Sequence, residues 1–218
     1  LGDSILNFNN LAVKFYENSF KNRLIPQQAY SELSGLYCIA FNLDFDPDEI
    51  VNLAHYRRYL TSSKDSIDIS RFEKDLERCK FIVPKKVRLY LNNPKSFIEQ
   101  VVHVSSVEEH YKYNHIKEDW LSLIELLMAE YPEYHDEINE FRKQRYMVPF
   151  NIFCARHQDL KLYAIWLFNI LDKLKERIKP TSHPYQGRVF GFMGERLFTL
   201  YLILYKVKFK ETDTLFLE

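Results

Sequence analysis

Glycine is scarce in this sequence, with 5 in 218 residues, and cysteine is scarcer, with 3. No Gly/Ser linker, internal repeat or low-complexity tract interrupts the chain, which therefore reads as a single domain over 1–218. Cys38, Cys79 and Cys154 are odd in number, far apart and form no C-x-x-C pair. That excludes a zinc ribbon or a disulfide scaffold and fits a reducing cytoplasm. No signal peptide is visible, and the longest apolar run, near Leu197 to Tyr205, is too short to cross a bilayer. Net charge is absent as well: 30 Lys plus Arg balance 30 Asp plus Glu. No global field then draws nucleic acid or anionic lipid, and any anion recognition must be local. Because it starts at Leu1 rather than Met, the chain is expected to be a fragment or part of something longer.

What the chain has in quantity is aromatic residues, 16% in all, with 15 Tyr and 17 Phe. Tyrosine serves polar grooves such as sugar-binding clefts, where the ring packs while the hydroxyl bonds, and it also serves ordinary cores. Helical spacing is expected over Asn10 to Asn22 and over Pro26 to Asn42, where Tyr30, Leu33, Leu36, Tyr37 and Ala40 recur. Further helices are expected over Ile69 to Cys79, Ser105 to Tyr113, Glu118 to Tyr131, Glu133 to Gln144, Gln158 to Ile178 and Gly191 to Tyr205. The helix from Gln158 is expected to bury Leu162, Ile165, Trp166, Ile170 and Leu174. Ile50 to Ala54, "FIVP", "MVPFNIF" and "KVKFKE" read as strands. Strands separated by helices predict a helix-rich α/β domain, in which ligands sit beyond the carboxyl ends of the strands. That rule puts His55 to Tyr59, Lys85 to Arg88 and Asn151 on one edge.

The segment His55-Tyr56-Arg57-Arg58-Tyr59 crowds polar, bulky side chains onto the end of an apolar run. Extended-chain alternation would send His55, Arg57 and Tyr59 to one side and Tyr56 and Arg58 to the other. A guanidinium matches a phosphate bidentately and stabilises a diphosphate leaving group without a metal. The plainer alternative is a pair of arginines that brace a strand end. Lys85, Lys86 and Arg88 in "PKKVRLY" either extend an anion site, contact an acceptor or are simply solvated. The D-x-D triplets at Asp44, Asp46 and Asp48 precede a strand rather than follow it, and read as a solvated turn, so no residue is assigned to a metal. His115 and Asp119 would share a face on a continuous helix, without completing a metal site. Gly191 and Gly194 bracket a helix start and demand a tight turn or close backbone approach, and Glu195 beside them is a general-base candidate or simply a first-turn acid.

The motifs "SELSGLY", "HYRRYL", "FIVPKK", "NIFCARHQDLKLYAIWLFNIL" and "GFMGERLF" occur in order. Together, over roughly Ser31 to Ile203, they resemble a bacterial family long known as a domain of unknown function and found with capsule, exopolysaccharide and O-antigen genes. The resemblance implies glycosyltransferases of GT-A-like α/β fold, with one branch that looks like a galactofuranosyltransferase within bifunctional O-antigen polymerases. By position, Glu32, Pro84 and Lys85, His115 and Asp119, Asn151 and Phe153, and Glu195 with Arg196 match family motifs. The sequence departs from the family at Asn52, where Gly is usual. It also has no recognisable opening strand of the type I-Y-V-x-T-H, so the fold is expected to lack its first strand or to replace it within Leu1 to Arg23.

The resemblance implies transfer of a sugar from a nucleotide-diphosphate donor to a glycan or lipid-linked glycan hydroxyl. That transfer would occur in the cytoplasm or peripherally at the inner face of the membrane. Glu195 and His55 are the catalytic candidates; Arg57, Arg58, Tyr59, Glu32 and Lys85 the donor candidates; Asn151, His115, Asp119 and Arg196 the acceptor candidates. The cofactor stays open, since arginines replace a divalent metal without excluding it. A degenerate, non-catalytic glycan-binding or scaffolding module is the rival reading. An RNA-binding domain using "YRRY" is disfavoured by zero net charge.

Overall fold

The computed structural model describes residues 6–8, 11–13, 27–55, 57–61, 69–91 and 103–217. Its first strands, β1 (Leu6–Phe8) and β2 (Leu11–Val13), pair antiparallel as a separate two-stranded sheet. The helix expected to start at Asn10 therefore does not: Leu11–Val13 is extended and partnered, and the remainder of that span lies outside the described residues. The helix expected from Pro26 to Asn42 is split into α1 (Gln27–Tyr30) and α2 (Leu33–Phe41). Ser31 makes the break, at φ 50, a left-handed conformation that no helix interior accommodates.

Strand β3 (Ile50–Leu53) is followed by β4 (Arg58–Thr61), helix α3 (Ile69–Leu76) and strand β5 (Phe81–Pro84). Short strands β6 (Val87–Arg88), β7 (Tyr90–Leu91) and β8 (His103–Val104) lead into α4 (Val107–Asn114), α5 (Lys117–Glu130) and α6 (His135–Lys143). Ser106 starts α4 with a reciprocal capping box to Glu109. After β9 (Tyr146–Met147) come β10 (Phe153–Arg156), the long α7 (His157–Lys175), α8 (Val189–Leu204) and β11 (Phe209–Phe216). "MVPFNIF" is thus two strands rather than one, interrupted where Phe150 and Asn151 adopt φ 77 and 51.

The main sheet has the order β3-β10-β5-β11-β4. Strands β5 and β11 are parallel, while β10 runs against β3 and β5, and β4 against β11. Although β3 and β4 occupy opposite edges, a tight turn joins them: His55 N–H donates to Arg58 O at 3.1 Å, and Arg58 N–H to His55 O at 3.0 Å. The sheet is therefore curled, its edges brought together at His55 and Arg58. That turn also corrects the alternation expected for the pentapeptide, because the chain reverses there instead of running on. Tyr56 lies outside the described residues.

Strand β5 and residues Phe153–Ala155 of β10 are buried on both faces and apolar, whereas β11 carries polar residues and is only partly buried. Val51, Leu53, Phe81, Val83, Phe153 and Ala155 face the large core under α2, α7 and α8. Leu60, Ile82 and Cys154 face a smaller cluster with Phe72 and Leu76 of α3. On α7 the buried stripe is Leu160, Tyr163, Ala164, Leu167, Ile170, Leu171 and Leu174. Leu162 and Ile165, expected in the core, are instead 56% and 51% exposed, because helical geometry turns them away from that stripe.

Candidate active site

The carboxyl ends of β3 and β5 and the amino end of β10 lie at one edge of the sheet, since Leu53 pairs with Phe153 and Ile82 with Cys154. His55, Lys85 and Asn151 therefore reach the same edge, Asn151 from an antiparallel strand. Helix α8 crosses beneath it. Its glycines are there for close approach: a Cβ on Gly191 would meet Ser31 Oγ at 2.9 Å, and one on Gly194 would meet Leu33 Cδ1 at 2.8 Å. Both sit inside the helix rather than ahead of it.

Glu195, one residue after the second glycine, is the carboxylate of a cleft of about 380 Å³ also lined by Arg88, Tyr90, His110, Phe150 and Arg196. Its side chain is 26% exposed. Oε1 accepts the Phe150 N–H at 3.1 Å, and Oε2 lies 3.3 Å from Arg196 Nη1. Burial raises its pKa, Arg196 opposes that shift, and Glu32 adds to it. A carboxylate so placed binds a proton more readily than a solvated one, as a general base must.

On one side of Glu195 stands Arg58, its guanidinium 4.5 Å from the Phe150 ring and 5.9 Å from that of Phe216. Next to it His55 Nε2 is 3.2 Å from Glu32 Oε1, while its Nδ1 accepts the Arg57 N–H at 3.3 Å. The ring proton thus belongs on Nε2. Burial, the largest influence, lowers the pKa of His55 against the pull of Glu32, with Arg58, Arg188 and Arg57 adding to the lowering. The contact is therefore a hydrogen bond from a neutral imidazole rather than an ion pair. Glu32 Oε1 also takes Arg188 Nη2 at 3.2 Å, and Arg188 Nε donates to Ser31 Oγ at 2.8 Å.

The other expected donor residues are spread more widely. Arg57 is exposed, with its carbonyl accepting Leu217 N–H at 3.0 Å. Lys85 forms a 2.7 Å pair with Asp213, but both side chains are more than 60% exposed, so the pair contributes little. Tyr59 is 4% exposed in β4, opposite Leu215, so it is buried and does not line the cleft.

Of the acceptor candidates, Arg196 is 2% exposed and forms part of the cleft floor. It donates to Phe192 O at 2.8 Å, lies 3.2 Å from His110 Nδ1, and covers the Tyr111 ring at 5.1 Å. Asn151 is also buried; its Nδ2 donates to Gly191 O at 3.0 Å. His115 and Asp119 do not share a continuous helix, because His115 caps α4 and α5 begins at Lys117. The His115 ring stacks on Phe192 at 4.0 Å, with Nδ1 3.4 Å from Gln186 Oε1. Burial, with Arg196 next, pushes the pKa of His110 down to about 4 and that of His115 to about 3. Burial pushes Asp119 up to about 6.

Asp44, Asp46 and Asp48 lie before β3, at the opposite end of the sheet from Glu195. There Asp46 accepts the Asp48 N–H at 2.9 Å, and Asp48 accepts Gln158 Nε2 at 2.9 Å. Among the described residues no cluster of three or more His, Cys, Asp or Glu is placed to hold a metal ion. None of the described helices is long and apolar enough to cross a membrane.

Sequence reasoning missed Arg188 and Phe150. Arg188 stands alone just before α8, and only its distance of three residues from Gly191 hinted at a role. Phe150 works through its backbone N–H and its ring face, which sequence does not display.

A curled five-stranded sheet flanked by helices, with a carboxylate-bearing cleft at one end of its strands, defines a mixed α/β domain. The chain belongs to the family described as Domain of unknown function (DUF4422), whose model matches residues 18–206. In fold it is similar to the apo structure of WbbM, a bifunctional glycosyltransferase, with a TM-score of 0.75 and 24% identity over 92% of this chain. The chain spans 39% of the length of that protein. No curated protein matches the sequence.

Proposed function

We propose that this domain is a glycosyltransferase, moving a sugar from a nucleotide-diphosphate donor to a hydroxyl of a bacterial surface polysaccharide, with galactofuranose the leading donor sugar. The observation that carries this reading is Glu195: a partly exposed carboxylate of raised pKa at the cleft floor, with Arg58 on its flank. The similarity in fold to a bifunctional glycosyltransferase supports it.

In this reading the acceptor hydroxyl gives its proton to Glu195 as its oxygen attacks the anomeric carbon. The bond to the diphosphate breaks with inversion, and the leaving oxygens are met by Arg58 and Arg57. Glu32 and Arg188 hold His55 beside Arg58, where its Nε2–H is oriented. The lipid-linked end of the acceptor would bring the domain to the inner membrane face. The test is release of UDP from a panel of UDP-sugars by the full chain and by Glu195→Gln. Sugar-dependent release that Glu195→Gln abolishes fits the reading. Neither release nor binding of any nucleotide sugar would overturn it.

One observation favours a second reading, a non-catalytic glycan-binding module. Among the described residues, no strand ahead of α1 joins the five-stranded sheet, the place expected to cradle the nucleotide. Under that reading Glu195→Gln changes nothing measurable in ligand binding.

A further inference from the structure

The Arg88–Tyr90 wall of the cleft has a composition that packing alone does not explain. Strands β6 and β9 form a short antiparallel ribbon in which Arg88 is paired with Tyr146. The Arg88 guanidinium lies 5.9 Å from the ring of Tyr146 and 5.9 Å from that of Tyr90. Both rings are large and well exposed, Tyr90 at 41% and Tyr146 at 46%. The backbone beneath them is firmly held: Leu89 N–H donates to Arg145 O at 2.9 Å, and Ser105 N–H to Leu89 O at 3.1 Å. Arg88 and Tyr90 line the same cleft as Glu195.

We propose that Tyr90 and Tyr146, braced by Arg88, form a stacking platform for a sugar ring of the acceptor glycan. A pyranose or furanose has one face of C–H bonds, which packs on an aromatic ring, and a rim of hydroxyls, which an arginine and phenols hydrogen-bond. Rings steadied by a guanidinium lose little further freedom when a ligand arrives. The volume, about 380 Å³, lies within the range of small-ligand sites. The surroundings of the cleft fit as well. Cationic groups suited to a diphosphate, Arg58 and Arg57, belong to the β3–β4 turn beyond Phe150, whereas the tyrosines belong to the β6–β9 and β7–β8 ribbons, Tyr90 within the cleft lining and Tyr146 beside it. Glu195 and Phe150 lie between them, where a base must stand to receive the acceptor proton. Only the word "acceptor" rests on the transferase reading; the sugar platform does not.

The probes are methyl galactopyranoside, methyl mannopyranoside and methyl rhamnopyranoside, followed by saturation-transfer NMR on the full chain. Tyr90→Ala, Tyr146→Ala and Tyr146→Phe are compared with the parent, and UDP is titrated in parallel. Because both rings are exposed, their truncation leaves the core intact, and Tyr146→Phe keeps the stacking face. At least one glycoside should show transfer to one face of its ring. Affinity should fall about tenfold in either alanine variant and hold in the phenylalanine variant, with UDP binding unchanged. Three results overturn the platform: no glycoside bound by the parent, binding indifferent to both alanine changes, or UDP or oligouridylate binding lost instead, which would make it a base-stacking site. Glycoside binding lost in the alanine variants supports the platform even where UDP never binds, and that combination would sink the transferase reading alone.

Discussion

Phe150 donates its backbone N–H to Glu195 Oε1 at 3.1 Å while holding φ 77, a conformation that a non-glycine residue adopts at a cost of about 1–3 kcal/mol. Asn151, next along, sits at φ 51 with Nδ2 on Gly191 O. Two successive left-handed residues thus aim one N–H at the carboxylate and one ring at Arg58. The strain sits where the chemistry is proposed, and helix α8 supports it from below.

Glu195→Gln should lower transfer about 10²–10⁴-fold while raising thermal stability at neutral pH. The native pKa is raised, so the unfolded chain releases its proton first, and the stability this group gives in acid is lost as pH climbs through the native value. Gln keeps an acceptor for Phe150 N–H without the charge. Its stability gain should vanish below the ordinary Glu value of about 4.5, as melting curves across pH would show. If the proposed transfer occurs, activity of the parent chain should rise with pH through the raised pKa of Glu195.

Gly191→Ala should destabilise by about 1–3 kcal/mol, because its Cβ meets Ser31 Oγ at 2.9 Å and Ser31 Cβ at 3.0 Å. Ser31→Gly removes both atoms and adopts φ 50 freely. In a double-mutant cycle by urea unfolding, the pair should recover at least about 0.5 kcal/mol relative to additivity. Strict additivity would mean that α8 does not press on the α1–α2 break.

His110 and His115 give an acid-sensitive term. Their native values, about 4 and about 3, lie below the ordinary 6.5, so the unfolded chain takes up protons first. Stability should fall as pH drops below about 6.5. His115→Phe, which keeps the stack on Phe192, should flatten that slope. Asp119, raised to about 6, acts in the opposite sense: Asp119→Asn should stabilise at pH 7 and not in acid.

Elements with strong periodicity were legible in the sequence. The helix starting at His157 and the buried strand Phe81–Pro84 sit within a few residues of where their patterns put them. Leu162 and Ile165 misled because apolar composition does not say which stripe of a helix finds a partner. The turn between His55 and Arg58 was not legible, since it depends on two sheet edges meeting, a relationship set by β5, β10 and β11 far along the chain. For the same reason the burial of Tyr59 and the platform at Tyr90 and Tyr146 were unreadable. Glu195 was marked by its glycines, while Arg188 carried no pattern at all.

In the proposed reaction Arg58 meets the diphosphate of a nucleotide donor beside Glu195. Calorimetric titration of UDP and UDP-galactofuranose into the full chain and into Arg58→Ala, with and without manganese, decides it. Saturable binding that weakens at least tenfold in Arg58→Ala, with the fold retained by circular dichroism, is the result expected. Equal affinity in the two proteins, or no binding under any condition, would contradict it.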